Sequence, residues 1–249
     1  MRRQKCFLFL FILILAAPVI GYGDWFLDVE GGWVWCTKND VRIPGNIGTP
    51  FSLANDFSLD SKFAYRVRLG YKFHPRHSLS ILYAPLSLNA EGRVNKDIFF
   101  NGVTFPAKAS LQALYTFNSY RLTYRYELVT SQKWQVGIGF TAKIRDAEIR
   151  VEDPTQSSSK TDLGFVPLFH LRVKWAFLDT MALLLEGDAL ASPGGQGRAE
   201  DVLLALVYSP SSRITLKLGY RILEGGADVE SVYNFSLLQY LVGGVILSF

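Results

Sequence analysis

The sequence predicts an all-β fold: a transmembrane, antiparallel, up-and-down β-barrel of about ten strands that follows a cleaved signal peptide. Three observations carry this reading. Residues 1–23 have the make-up of an export signal. Apolar and polar residues then alternate in one segment after another. The connections between those segments alternate between short and long.

In the first segment, Arg2, Arg3 and Lys5 form a basic start, and residues 7–17 form an apolar run that ends among small residues (Ala16, Ala17, Gly21, Gly23). That run is too short to span a bilayer as a helix, which takes roughly 20 residues. Cleavage is expected after Gly21 or Gly23, with Ala17 as the alternative, leaving 24–249 as a single barrel domain. Cys6 lies in no convincing lipobox. Removing residues 1–23 takes away three positive charges and no negative ones, so the formal net charge falls from +4 to +1. The basic balance therefore belongs partly to the signal and gives no case for nucleic-acid binding. One cysteine, Cys36, is left in the mature chain, which excludes a disulfide framework or a Cys-x-x-Cys metal site.

Period-two alternation begins directly after the signal. Residues 62–73 are the clearest case. Phe63, Tyr65, Val67, Leu69, Tyr71 and Phe73 alternate with Lys62, Ala64, Arg66, Arg68, Gly70 and Lys72. Side chains point to opposite faces along a strand, so one face is apolar and the other small or basic. The same pattern gives strands near 24–36, 62–73, 78–90, 110–128, 133–149, 163–177, 181–191, 200–209, 213–223 and 235–249, with eight strands as the alternative count. The phase of the apolar residues slips at Pro85 and again between Phe117 and Tyr120, and a β-bulge is expected at each.

The connections near 74–77, 129–132, 178–180 and 210–212 are short, and those near 37–61, 91–109, 150–162, 192–199 and 224–234 are longer. Membrane barrels show this asymmetry, with short periplasmic turns and long external loops. Aromatic residues collect at strand ends next to the short connections: Trp25, Phe73, Tyr126, Trp134, Trp175, Phe177, Tyr208 and Phe249. Such a band matches a girdle at the lipid headgroups, and a soluble core gives no reason for it. A soluble, lipocalin-like barrel is the competing reading.

The last strand alternates Leu241, Gly243, Val245 and Leu247, and closes on Phe249. It resembles the C-terminal assembly signal of bacterial outer-membrane proteins. The whole pattern resembles the small, porin-like outer-membrane barrels of the OmpA and OmpX kind. The resemblance implies a Gram-negative outer membrane with both chain ends periplasmic. It also implies outer-membrane lipid and lipopolysaccharide as surroundings, and the barrel-assembly machinery as a partner of the last strand.

The face opposite the apolar one becomes the lumen. It carries twelve basic residues: Lys62, Arg66, Arg68, Lys72, Arg121, Arg125, Lys143, Arg145, Arg172, Lys174, Lys217 and Arg221. Six acidic ones join them: Asp28, Glu30, Glu127, Glu186, Asp188 and Asp201. Counted from the short-turn end, Asp28 and Glu30 stand level with Arg68 and Arg66. Glu186 and Asp188 stand level with Arg172 and His170, and Asp201 with Arg221. Buried charges need partners, so cross-strand pairing is expected. About eight strands enclose only enough room for side chains, so a filled, net-basic lumen is expected here. That implies a structural or surface-interaction role. A narrow pore preferring anions is the alternative.

No residue set points to catalysis, a metal or a cofactor. His74 and His77 fall in a short turn, and His170 faces inward without a nucleophile beside it. Omptin-like proteases, also ten-stranded, work with Asp and His at the outer rim, where no histidine of this chain is expected. Barrel phospholipases and lipid A deacylases place Ser and His toward lipid, so a lipid hydrolase is a distant alternative. Residues 192–197 read as a tight hairpin rather than a phosphate loop, for want of a Lys-Ser/Thr ending. The loop 91–109 carries Ile98, Phe99, Phe100, Val103 and Phe105. These either cover the barrel mouth or present a binding surface, or they simply extend the strands above the membrane.

Overall fold

The computed structural model describes residues 24–192 and 194–249. The signal segment 1–23 with Cys6, and Pro193, lie outside the described residues. The described chain forms β1 (Asp24–Arg42), β2 (Phe51–Ser52), β3 (Phe57–Leu59), β4 (Lys62–His74), β5 (His77–Ala84), β6 (Ser87–Gly92), β7 (Ile98–Phe100) and β8 (Val103–Phe105). It continues with β9 (Leu111–Thr130), β10 (Trp134–Glu152), β11 (Ser157–Ala176), β12 (Met181–Ala191), β13 (Gly197–Tyr208), β14 (Ile214–Val229) and β15 (Val232–Ser248).

Ten of these runs close a ring. Each of β9 to β15 pairs with the next; β15 pairs with β1, β1 with β4, β4 with β5, and β5 with β9. β6 carries on the line of β5 beside β9. All pairings are antiparallel, so the ring is an up-and-down barrel without a free edge at its waist. Backbone bonds between Trp25 and Phe249, at 2.8 and 2.9 Å, tie the start of β1 to the end of β15 where the short turns lie.

The wall carries its apolar residues outside. Phe63, Ile81, Phe140, Phe169, Leu204, Leu218 and Leu241 are all exposed. A soluble protein rarely exposes more than a few hundred Å² of contiguous apolar surface, whereas a lipid-embedded wall requires it.

The interior has two halves. Toward the turn end it holds the charges, beside an apolar patch of Ala182, Leu184, Ala205 and Val207 on β12 and β13. Toward the loop end it is an apolar core that includes Val34, Leu88, Phe100, Phe105, Leu111 and Tyr115. This division corrects the two expected bulges. The pairs Ala84↔Ser119 and Ser87↔Thr116 lie three residues apart on each chain, so the register runs past Pro85 unbroken. Leu82, Ala84, Leu86, Leu88 and Ala90 all face inward. On β9, Leu111, Ala113, Tyr115, Ser119 and Arg121 likewise share the inner face. The apolar pattern changes face because the inside of the barrel changes from charged to apolar, not because the strand turns over. Register shifts occur elsewhere, between Cys36 and Lys38, Lys72 and His74, and Val136 and Gly137.

Strands also run farther than expected. Most of the segments 150–162 and 224–234 is paired strand, as β10–β11 and β14–β15 continue to tight tips. Arg145–Asp162 and Arg150–Glu148 ion pairs line the first of these extensions. The connection 37–61 begins as the end of β1, and β2 folds back on it.

Candidate functional site

Alternation along β1, β4, β9 and β12–β14 points charged residues inward, and ring closure brings those charges together. Asp201 on β13 is the hub. Its carboxylate lies 2.9 Å from Arg66 on β4, 2.6 Å from Arg121 on β9 and 2.5 Å from Arg221 on β14. Glu30 accepts two hydrogen bonds from Arg221, at 2.9 and 3.0 Å, and stands 3.0 Å from Lys217 and 3.6 Å from Arg66. Lys217 also reaches Asp28 at 2.7 Å. Asp188 meets Arg121 at 2.7 Å and His170 Nδ1 at 2.8 Å, and accepts a hydrogen bond from Thr141 at 2.8 Å. Glu186 pairs with Arg68 and, at 3.4 Å, with Arg172. Arg125 pairs with Glu127 at 2.7 Å.

Several of these contacts cross the bore. β4 and β12 are five places apart in a ring of ten, so Arg68–Glu186 joins opposite walls. Arg66–Asp201 and Arg121–Asp201 each span four places. The result is a web of charges across the lumen. Planar guanidinium groups suit it, because one Arg binds two carboxylates at fixed angles.

Register places Asp28 opposite Arg68, Glu30 opposite Arg66, Glu186 opposite Arg172 and Asp188 opposite His170. Asp201 stands opposite Leu223, so it meets Arg221 diagonally rather than on one level. The expected partner of Asp28 is corrected too: Lys217 takes it, while Arg68 reaches across to Glu186. Cross-lumen reach depends on how the ring closes, which level counting along neighbours does not capture. The charge excess also lies differently. Lys62 and Lys72 are exposed toward the two ends, and Arg145 pairs with Asp162, outside the web.

His170 Nε2 is buried without a hydrogen-bond partner among the described residues. His74 and His77 sit at the turn end, where His77 packs against Tyr126 at 5.0 Å. Cys36 is a free, half-buried thiol at the β1 bulge and donates to the Lys38 carbonyl. Among the expected girdle residues, Trp25 packs on Tyr71 at 4.7 Å and Trp134 stacks on Trp175 at 5.9 Å. Phe73, Tyr208 and Phe249 are exposed at the same end. Among the described residues, no group of three His, Cys, Asp or Glu is placed to hold a metal ion.

Above the web, two loops cap the barrel. The β7–β8 hairpin turns at Asn101 and Gly102, both with positive φ (45° and 88°). Asn-Gly is the favoured pair for such a turn, and this dipeptide is the sequence signal for the hairpin. Ile98, Phe100 and Phe105 go into the apolar core, and Phe51 of β2 packs on both Phe57 and Phe100. The hairpin crosses the mouth: Asn101 donates to the Ile43 carbonyl on one side and the Ser159 carbonyl on the other, both at 2.9 Å. Thr49 donates to Phe99, and Asn46 to Glu230. Of the roles expected for loop 91–109, the structure has it covering the mouth. Beside this cap, a cavity of about 360 Å³ is left between β10, β11 and the β12–β15 walls.

No family model matches the chain, and no curated protein sequence matches it. Solved structures do. The outer-membrane protease OmpT from Escherichia coli matches with a TM-score of 0.56 at 8% identity, over 91% of this chain and 97% of that one. Ail, the attachment invasion locus protein of Yersinia pestis, gives 0.43 at 7% identity over 90% and 99%. OprG from Pseudomonas aeruginosa gives 0.37 at 10% identity over 91% and 96%. The fold is that of the small outer-membrane β-barrels.

Proposed function

We propose that this outer-membrane barrel is sealed across its lumen and works at the cell surface, through its capped loop end. The observation that carries the proposal is the web joining opposite walls, in which Asp201, Arg121, Arg66, Arg221 and Glu30 are all buried. Ions crossing there must displace paired charges that are held by two or three contacts each. Breaking a buried pair costs about 3–5 kcal/mol. The web and the cap lie in series along the barrel axis.

In this reading the protein is not an enzyme. His170 is held by Asp188, and among the described residues no hydroxyl is hydrogen-bonded to its other nitrogen. Both chain ends face the periplasm, the loop end faces outward among lipopolysaccharide, and β15, ending at Phe249, is the strand read by the assembly machinery.

Planar-bilayer recording tests the seal. The expected result is no stepwise conductance from the wild-type protein in 1 M salt. The double variant Arg66→Ala/Arg121→Ala, which empties the centre of the web, is expected to conduct. Stable wild-type openings with anion preference would favour the narrow-pore alternative and overturn the sealed reading.

A further inference from the structure

The barrel wall has a gap on one side of the loop end. β11 pairs with β10 along nearly its whole length, from Ser157↔Glu152 to Trp175↔Trp134. With β12 it pairs only from Phe169↔Ala189 to Ala176↔Ala182. Among the described residues, the edge of β11 that faces β12 therefore has no strand beside it over residues 157–168. β12 ends at Ala191 and returns as β13 at Gly197, while β14 and β15 stand taller beyond, to Val229 and from Val232.

The sequence sets where pairing stops. A proline leaves a ladder intact only where its missing N–H faces away from the partner strand. The register with β10 runs unbroken through Ala142↔Pro167, so the missing donor lies on the β12 side. Pro167 is two residues beyond the last β11–β12 pair and shares the orientation of Phe169. It is the position that would have had to donate next.

The gap opens at lipid level. Outward residues of β11 stay apolar through Phe165 and Leu163, which are 69% and 75% exposed. On β13 the outward series has already changed from Val202 to Glu200 and Arg198. Unpaired backbone at membrane depth is tolerated only against protein or a water-filled cavity. A cavity lies beside this edge. Phe165, which faces out, and Val166, which faces in, both line the space of about 360 Å³ beside the cap. One space touching both faces of a strand passes around its edge. The vestibule is therefore continuous with the lipid side of the wall.

The charge of the vestibule points to its occupant. Asp162, Glu224 and Glu148 line it, and each is paired with an arginine: Arg145, Arg198 and Arg150. Lys143 and Lys160 also line it, and neither forms an ion pair among the described residues. Lys143 is only 3% exposed, and its ammonium lies over the Phe117 ring at 4.8 Å. Apolar walls come from Phe165, Pro167, Leu190 and Ile149. The volume falls within the roughly 300–1,000 Å³ of small-molecule sites.

We infer that the gap between β11 and the β12–β13 hairpin is a lateral doorway for a single-chain anionic amphiphile, its head on Lys143 and its chain passing Phe165 and Pro167 toward the bilayer. This site stands apart from the proposed seal, which it neither requires nor weakens.

Dodecanoate is the probe. Its binding to the barrel in phosphatidylcholine nanodiscs, measured by calorimetry against protein-free discs, is expected to saturate at one site. Removing a hydrogen-bond donor to a charged head group is worth about ten-fold or more, so Lys143→Gln is expected to weaken binding by that factor while Lys143→Arg stays near wild type. Val166→Trp, which fills the vestibule, is expected to abolish binding, with a heat-modifiability gel confirming that the variant is folded. A diazirine-bearing dodecanoate is expected to label residues 163–168 and 190–198. Equal binding of dodecyltrimethylammonium, indifference to Lys143→Gln, or label spread evenly around the outer wall would each overturn the inference.

Discussion

Replacing Asp201 by Asn keeps the volume of the hub and removes its charge. Three guanidinium groups lose their anion at once: Arg66 at 2.9 Å, Arg121 at 2.6 Å and Arg221 at 2.5 Å. None is left wholly unpaired. Arg221 keeps its two bonds to Glu30, Arg121 keeps Asp188, and Arg66 keeps Glu30 at 3.6 Å. Breaking a buried pair outright costs about 3–5 kcal/mol, and these retained partners put the expected loss at the lower end, about 3 kcal/mol. The comparison is Glu224→Gln, which removes the Arg198–Glu224 pair near the loop end. Those side chains are far more open to solvent, so the expected loss there is below about 1 kcal/mol. Urea unfolding of the barrel in lipid vesicles, followed by tryptophan fluorescence, reads both variants. The denaturant slope is expected to hold while the midpoint of Asp201→Asn falls. Equal losses in the two variants, or an Asp201→Asn protein as stable as wild type, would refute the idea that the web is a buried, cooperative structure.

Three further outcomes follow from the loop end. Phe100 is fully buried, so Phe100→Ala is expected to cost about 3–5 kcal/mol of local stability. Hydrogen exchange should then speed up in 43–59 and 95–106 while the wall strands stay protected. Gly102 has φ of 88°, so Gly102→Val is expected to cost about 1–2 kcal/mol and to loosen the β7–β8 hairpin in the same exchange experiment. At the β10–β11 tip, the Asp153 carboxylate accepts hydrogen bonds from the Thr155 hydroxyl and from the Thr155 and Gln156 amides, and these hold its pKa below the usual value. A depressed folded pKa gives stability that is present above the ordinary carboxylate value and lost as pH falls through the folded one. Protection of the Thr155 and Gln156 amides should therefore drop on acidification, and Asp153→Ala should abolish that pH dependence.

Much of the wall was legible because a barrel strand carries its own instructions. Residues 62–73 state both faces of β4, and strand register then follows from adjacency, as Asp28↔Arg68 and Glu30↔Arg66 illustrate. What strand patterns do not carry is contact between strands that are not neighbours. Nothing in β4 alone says that Arg68 meets Glu186 across the bore, because that depends on how many strands close the ring. The cap was hard to read for a different reason. Phe51, Phe100 and Phe105 sit in short or irregular segments without a sustained period, and their burial comes from tertiary packing. The Asn101-Gly102 dipeptide was a usable local signal for one part of it.

The change of face in the apolar pattern has a wider consequence. A soluble barrel inverts its pattern only at a bulge, because its inside is apolar throughout. Here Ile81 and Tyr83 are apolar outside, while Leu86 and Leu88 on the same line are apolar inside, with pairing to β9 in step on both sides of Pro85. The line of β5 and β6, and β9 beside it, thus cross from a stretch stabilised by lipid outside and ion pairs inside to one stabilised by an internal apolar core. The two regions share backbone ladders but rest on different forces. Salt weakens ion pairs only where solvent reaches them, and the buried web is shielded. The upper core depends on burial of apolar surface against the cap. Cap variants such as Phe100→Ala should therefore loosen the loop end without opening the waist, and web variants such as Asp201→Asn should weaken the waist while the cap stays packed. A cap variant that gained conductance with its web residues intact would mean that the two regions are one cooperative unit.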